Sequence, residues 1–221
     1  CIRDRVIITG TDNLLESWKW ETFTITKSSP TIQVKSTYTR EFVYTGKEIM
    51  QPAASDLEIT EAYDGDVQYT WRDLTSQAIS SEVPVAVGRY ELIATIPESN
   101  NNNSASCTWP FDIVEKSIEG EDITISLSET DFPYDENVNQ PKITVMDLSR
   151  NQELVENTDY TLSMPGSVNA GENYEIVVTG RGNYKGTRKA YYNITKQDLK
   201  DAEVTISGTY VYHGSPVEPV S

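Results

Sequence analysis

Phe132-Pro133-Tyr134-Asp135-Glu136-Asn137-Val138, with Pro141 after it, occurs three times in varied form. Phe42-Val43-Tyr44-Thr45-Gly46-Lys47-Glu48-Ile49 precedes Pro52, and Tyr210-Val211-Tyr212-His213-Gly214-Ser215-Pro216-Val217 precedes Pro219. Each is an aromatic, any residue, Tyr, a polar turn, an apolar residue and then Pro. Tyr44 and Tyr134 lie 90 residues apart, and Tyr134 and Tyr212 lie 78 apart. Self-similarity at a fixed period marks a repeated structural unit.

Two more elements recur in the same order. Phe23-Thr24-Ile25 leads to Lys27, Phe111-Asp112-Ile113 to Lys116, and Tyr192-Asn193-Ile194 to Lys196. Val87-Gly88-Arg89-Tyr90-Glu91-Leu92-Ile93-Ala94 matches Ala170-Gly171-Glu172-Asn173-Tyr174-Glu175-Ile176-Val177, and Val6-Ile7-Ile8-Thr9-Gly10 matches Ile176-Val177-Val178-Thr179-Gly180. The order sets the phase. Residues 1–27 are expected to be the last two strands of a preceding repeat, 28–116 a complete repeat, 117–196 a second, and 197–221 the opening strands of a third. The chain is expected to be a window on a tandem array, with short polar joints at Ser28-Ser29-Pro30, Glu119-Gly120-Glu121-Asp122 and Gln197-Asp198-Leu199-Lys200.

Within each repeat the patterning is that of strands. Thr31–Lys35, Val67–Trp71, Asp122–Leu127, Tyr160–Met164 and Ala202–Ile206 alternate polar with apolar residues, as half-buried strands do. Tyr63-Asp64-Gly65-Asp66 carries an Asp-Gly hairpin signal. Asn100–Asn103 and Gly182–Thr187 are polar loops, and no helical period extends over ten residues. About seven short strands in 80–90 residues predict an antiparallel sandwich, with Ile, Val and Tyr inside and Thr, Ser, Asp and Glu outside.

Composition narrows the function. The net charge is −16, which repels phosphate and argues against nucleic acid as a partner. No apolar run is long enough to span a membrane, so insertion by this segment is not expected. One His and two Cys leave little for a transition-metal or His-based centre. Cys1 and Cys107 fall in different repeats, so a disulfide between them is not expected, and Cys107 is expected to be a small buried hydrophobe beside Trp109. A lipidated Cys1 would need a tether, whereas strand-like sequence starts at Val6.

The segment 134–196 resembles the bacterial immunoglobulin-like repeats of cell-surface proteins, of the MBG or YDG type. The resemblance rests on Tyr134 to Pro141, Asp159-Tyr160-Thr161, Asn169-Ala170-Gly171, Val178-Thr179-Gly180 and Gly182-Asn183-Tyr184-Lys185-Gly186-Thr187. Asp135-Glu136 replaces the usual glycine-bearing turn. Residues 28–116 match less fully: Tyr44-Thr45-Gly46 and Gly88-Arg89-Tyr90 are kept, but the Asn run stands where Gly-Asn-Tyr would be. The resemblance implies tandem immunoglobulin-like antiparallel β-sandwiches, all β, in a secreted or surface-anchored bacterial protein. It implies a non-enzymatic structural, spacer or adhesive role.

Several clusters invite chemistry. Glu61, Asp64 and Asp66 sit near one turn and Asp131, Asp135 and Glu136 near another, but neither has the spacing of a dedicated calcium loop. His213 lies in a turn and is no plausible base, and no Gly-x-Ser-x-Gly elbow occurs. Trp18, Trp20, Trp71 and Trp109 are candidates for sugar stacking, although alternating strand positions favour the core. Trp18 and Trp20 are expected to share one face of their strand. Lys27, Lys116 and Lys196 recur at domain exits, where they are expected to be exposed and so unsuited to a covalent Lys–Asp or Lys–Asn bond. No catalytic, cofactor or metal residue is therefore assigned, and no cofactor is expected. The alternative to a spacer is a module that binds a carbohydrate or host protein through the Asn100–Asn103 and Gly182–Thr187 loops. Self-pairing through the incomplete terminal repeats is a further expectation.

Overall fold

Side chains on an extended chain point to opposite faces in turn, so alternating sequence becomes a strand with one buried face. The computed structural model describes residues 2–8, 17–198, 200, 211 and 213–215, with side chains described from Phe23 onward. The fold is all β, with one turn of 3-10 helix at Ala54–Asp56 and no α-helix among the described residues. Among the described residues no helix is long and apolar enough to cross a membrane.

Strands β1 (Ile2–Ile8) and β2 (Ser17–Phe23) pair antiparallel, with Ile2 opposite Phe23 and Ile8 opposite Ser17. Seven strands follow: β3 (Ile32–Val34), β4 (Glu41–Val43), β5 (Leu57–Ile59), β6 (Gln68–Asp73), β7 (Ile79–Ser80), β8 (Gly88–Ile96) and β9 (Ala105–Val114). β3 and β5 form one sheet, and the other has the order β4-β9-β8-β6-β7. These two sheets are the first sandwich. Then come β10 (Lys116–Ser117), β11 (Ile123–Leu127), β12 (Asp131–Pro133), β13 (Ile143–Asp147), β14 (Gln152–Glu153), β15 (Tyr160–Ser163), β16 (Gly171–Gly180), β17 (Tyr184–Lys185) and β18 (Thr187–Thr195). Here the sheets are β11-β13-β14 and β12-β18-β16-β15, with β10 and β17 as a short parallel pair. This is the second sandwich.

The expected inside-outside division holds. Ile32, Val34, Leu57, Trp71, Leu92, Ala94, Ile96, Phe111 and Ile113 fill the first sandwich, and Ile123, Val145, Ile176, Val178, Tyr192 and Ile194 the second. On β9 every second residue from Trp109 to Ile113 is buried. Burying one such side chain stabilises the fold by about 1.5–3 kcal/mol.

The same aromatic trio stands in both sandwiches. Tyr90 stacks on Phe111 at 5.7 Å while Phe42 meets it edge-on at 5.6 Å. Tyr174 lies 5.3 Å from Tyr192 while Phe132 meets it edge-on at 5.9 Å. In both, the first and last strands of the larger sheet run parallel, β4 on β9 and β12 on β18. Tyr44 N–H donates to Val114 O and Tyr134 N–H to Thr195 O, each at 2.9 Å. Gly46 (φ +69°) and Glu136 (φ +64°) hold the same left-handed turn, so a residue with a Cβ occupies a conformation that glycine adopts without strain.

One local reading is corrected. Asp64-Gly65 does not close a hairpin, because β5 pairs with β3 and β6 with β7 and β8. The chain changes sheets between residues 60 and 67. Asp64 is tied instead to the asparagine loop: its N–H donates to Asn102 Oδ1 at 2.9 Å, and its carboxylate accepts from Asn101 Nδ2 at 2.6 Å. A two-residue turn signal is local, whereas the sheet a strand joins is decided by the core it covers.

Candidate functional site at the joint

Ile143-Thr144-Val145-Met146-Asp147 alternates with Ile143, Val145 and Asp147 facing inward. The alternation therefore carries a carboxylate to a core position, where Asp147 has no exposed surface. A buried carboxylate needs a partner. Lys116 supplies it from β10, its Nζ lying 2.8 Å from Asp147 Oδ1 and 2.5 Å from Asp122 Oδ2. The same Nζ donates to Ser149 Oγ at 2.7 Å, and Ser149 Oγ donates onward to Asp147 Oδ1 at 2.7 Å. Tyr184 OH donates to Asp147 Oδ2 at 3.0 Å and accepts from the Arg150 guanidinium at 2.7 Å. No buried side-chain polar atom of the knot lacks a partner, as a buried network requires.

The knot lies against the first sandwich. Tyr184 packs edge-on against Tyr44 with ring centroids 5.6 Å apart. The Arg150 guanidinium carbon stands 5.1 Å from the centre of the Tyr44 ring. Asn183 Oδ1 accepts from Val87 N–H at 3.0 Å. Gly46 faces Arg150 so closely that a Cβ there would lie 2.2 Å from its Nε. Tyr44, Gly46 and Val87 thus form a seat, and Arg150, Asn183 and Tyr184 fill it.

The charges support one another. Burial pushes the Asp147 carboxyl up, but hydrogen bonds from Lys116, Ser149 and Tyr184 outweigh it and hold the group below its ordinary range. Burial disfavours the Lys116 ammonium, but Asp122 and Asp147 raise it above an ordinary lysine. Burial raises the Tyr184 phenol, and Asp147 raises it further, so it stays neutral and donates. The contribution of Asp147 is complete above the ordinary carboxylate value of 3.8 and is lost as pH falls through its lower folded value. That of Lys116 is complete below 10.5 and is lost as pH rises through its higher folded value. Asp147→Asn is therefore expected to flatten the acid limb of stability against pH, followed by urea denaturation from neutral to strongly acidic pH. An acid limb as steep in the variant as in the parent would refute this.

Lys116 corrects an expectation. It is 9% exposed, whereas the three recurring lysines were expected to be exposed at equivalent places. The registers of β4 on β9 and β12 on β18 align Ile113 with Ile194. Lys116 is the third residue after that isoleucine and Lys196 the second, so Lys196 aligns with Glu115. One residue on an extended chain reverses the face. Lys27 and Lys196 are exposed, and Lys27 pairs with Glu98 at 2.5 Å. Burial beside a carboxylate does not make Lys116 a partner for condensation. Amide formation with loss of water needs a neutral amine and a protonated acid, and the knot favours the opposite charge state of each.

The other sequence candidates are engaged in structure. Trp71 is 3% exposed and meets Phe111 edge-on at 5.8 Å, and its Nε1 has no hydrogen-bond partner among the described residues. Trp109 is buried, with the Arg40 guanidinium 3.7 Å from the centre of its ring. Neither offers a free ring face to a sugar. Trp18 and Trp20 lie on β2, where side chains fall outside the described residues. Cys107 is a free thiol and half-buried, not fully buried as expected, and burial pushes its thiol up. Cys1 lies outside the described residues, and His213 is exposed.

Glu61 accepts from Ser29 N–H at 2.7 Å, Asp131 from Asn193 Nδ2 at 2.8 Å, and Asp135 from Asn137 N–H at 3.0 Å. Among the described residues no three of His, Cys, Asp and Glu are grouped to hold a metal ion. Both loops singled out for ligand binding hold the chain itself. Asn102 is fully buried, its Oδ1 accepting from Ser99 Oγ at 2.6 Å and its Nδ2 donating to Pro97 O and Asn103 O at 3.0 Å. Ser28 bridges parallel to Asn102 as Lys116 pairs parallel with Tyr184. Ala202–Ile206 and most of 197–221 lie outside the described residues.

No family model and no curated protein sequence matches the chain.

Proposed function

We propose that this chain is a segment of tandem immunoglobulin-like repeats, without enzymatic activity, that spaces or displays other domains on a bacterial surface. The joint carries this reading. The network of Lys116, Asp147, Tyr184 and Arg150 belongs to the second sandwich, and from it Tyr184, Arg150 and Asn183 reach onto Tyr44 and Val87 of the first, contacts that a flexible linker would not make. Such contacts fix the geometry of neighbours, as arrays of stacked repeats require. The recurring aromatic trio and the shared parallel pairing of the first and last strands of the larger sheet support the repeat reading. The acidic surface keeps such an array soluble.

Of the two loops named for the binding-module alternative, Asn102, Asn183 and Tyr184 are engaged within the chain. Small-angle scattering with chromatography and mass detection tests the proposal. The expected result is an elongated monomer. A compact profile, or a compact dimer, would overturn it.

A further inference from the structure

The seat on the first sandwich has a counterpart on the second. The shared hydrogen bonds of Tyr44 to Val114 and of Tyr134 to Thr195 align Tyr134 with Tyr44. Gly88 stands opposite Ile113 and Gly171 opposite Ile194, which aligns Ala170 with Val87. Counting on from β9 and β18 aligns Lys196 with Glu115 and Gln197 with Lys116. Tyr134, Ala170, Lys196 and Gln197 together line one shallow hollow. Three of their counterparts, Tyr44, Val87 and Lys116, line the joint. Tyr44 is 7% exposed there, whereas Tyr134 is only half-buried. Val87 N–H donates to Asn183, whereas Ala170 N–H has no partner among the described residues.

We propose that this hollow is a docking seat for a loop presenting an asparagine followed by an aromatic residue, carried by a following repeat built like residues 116–195. The asparagine carbonyl accepts from Ala170 N–H, and the aromatic ring packs edge-on against Tyr134. The seat differs from the first at its rim. Glu136 stands where Gly46 leaves room for Arg150, so a guanidinium arriving there meets a carboxylate. Gln197 stands where Lys116 faces Asp147, so the buried ion pair is replaced by a neutral amide. The inference rests on the tandem-repeat reading and adds to it which residues of one repeat receive the next.

The test compares the full chain with a chain in which residues 198–221 are replaced by a second copy of 117–196 carrying Asp147→Asn, so that Gln197 keeps its place in the seat and meets a neutral amide in phase. Tethering supplies the effective concentration that a free loop peptide lacks. The readout is amide hydrogen exchange. The expected result is that Ala170 exchange slows about tenfold in the extended chain, the scale of one net hydrogen bond. Asn183→Ala in the appended copy is expected to restore fast exchange. If the appended copy is protected at its own strand amides but Ala170 is unchanged, the seat is wrong and the repeat reading stands. If the appended copy fails to acquire protection, the repeat reading itself fails, and the seat with it. If Ala170 is already protected in the full chain, residues 198–221 fill the hollow and the proposed occupant is wrong.

Discussion

Asp147→Ala is expected to destabilise the second sandwich by about 3–5 kcal/mol, the cost of breaking a buried ion pair from one side. Lys116 would keep Ser149 and a single carboxylate, Asp122, whose side chain is 42% exposed, and Tyr184 OH would lose its acceptor. Urea denaturation followed by far-ultraviolet circular dichroism measures the loss. Tryptophan fluorescence is the internal control, because Trp18, Trp20, Trp71 and Trp109 all lie outside the second sandwich. The dichroism transition should move much further than the fluorescence transition. Replacing both partners with apolar residues, Lys116→Met with Asp147→Leu, is expected to recover most of the loss, since no unpaired charge is then left buried. A loss of under about 1 kcal/mol in Asp147→Ala would place the pair with ordinary surface ion pairs and refute the role given to it.

Gly180→Val is the second large effect, at about 3 kcal/mol. Gly180 closes β16 where the chain returns as β17. A Cβ there would lie 2.7 Å from Lys185 N and 2.8 Å from its Cα and carbonyl carbon. Those are backbone atoms, which cannot rotate aside. The clash displaces β17, the strand on which β10 is paired. Lys116 N–H donates to Asn183 O at 3.0 Å and Ile118 N–H to Lys185 O at 2.8 Å. Hydrogen exchange at those two amides should rise in the variant before it rises in the core of either sandwich. Full protection at Lys116 and Ile118 in a folded Gly180→Val chain would show that the loop can move without loosening the joint.

Strand positions were legible because each depends on a period of two and on nearby turn residues. Ile123–Leu127 and Gln68–Asp73 fall within a residue or two of the stretches that alternate. What failed was non-local. Asp64-Gly65 carries a valid turn signal, yet no local signal says that the next strand belongs to the other sheet. Each of the three lysines follows an aromatic-x-Ile strand, which suggests equivalence, but Lys116 stands one residue further from its isoleucine than Lys27 and Lys196 do. That difference was the available clue to Lys116. A second clue lay in Ile143-Thr144-Val145-Met146-Asp147, where a carboxylate falls on the inward parity. Tyr184 and Arg150 gave no comparable sign, since their meeting depends on how a loop of one sandwich reaches the other. The asparagine run lies between β8 and β9 as Gly182-Asn183-Tyr184 lies between β16 and β18, but its polarity suggests solvent, whereas Asn102 is wholly internal.

The parallel pairing of β4 with β9 and of β12 with β18 has a mechanical consequence. If the chain is pulled from its two ends, each parallel pair is loaded once the strand before it, β3 or β11, has peeled from its own partner. Parallel neighbours then slide along each other, so their hydrogen bonds bear the load together. An antiparallel pair pulled from one end would instead unzip bond by bond. Survival under tension is governed by the rate of unfolding rather than by equilibrium stability. The short ladders at Glu41–Val43 and Asp131–Pro133 therefore set the force at which each sandwich gives way, however deep its core.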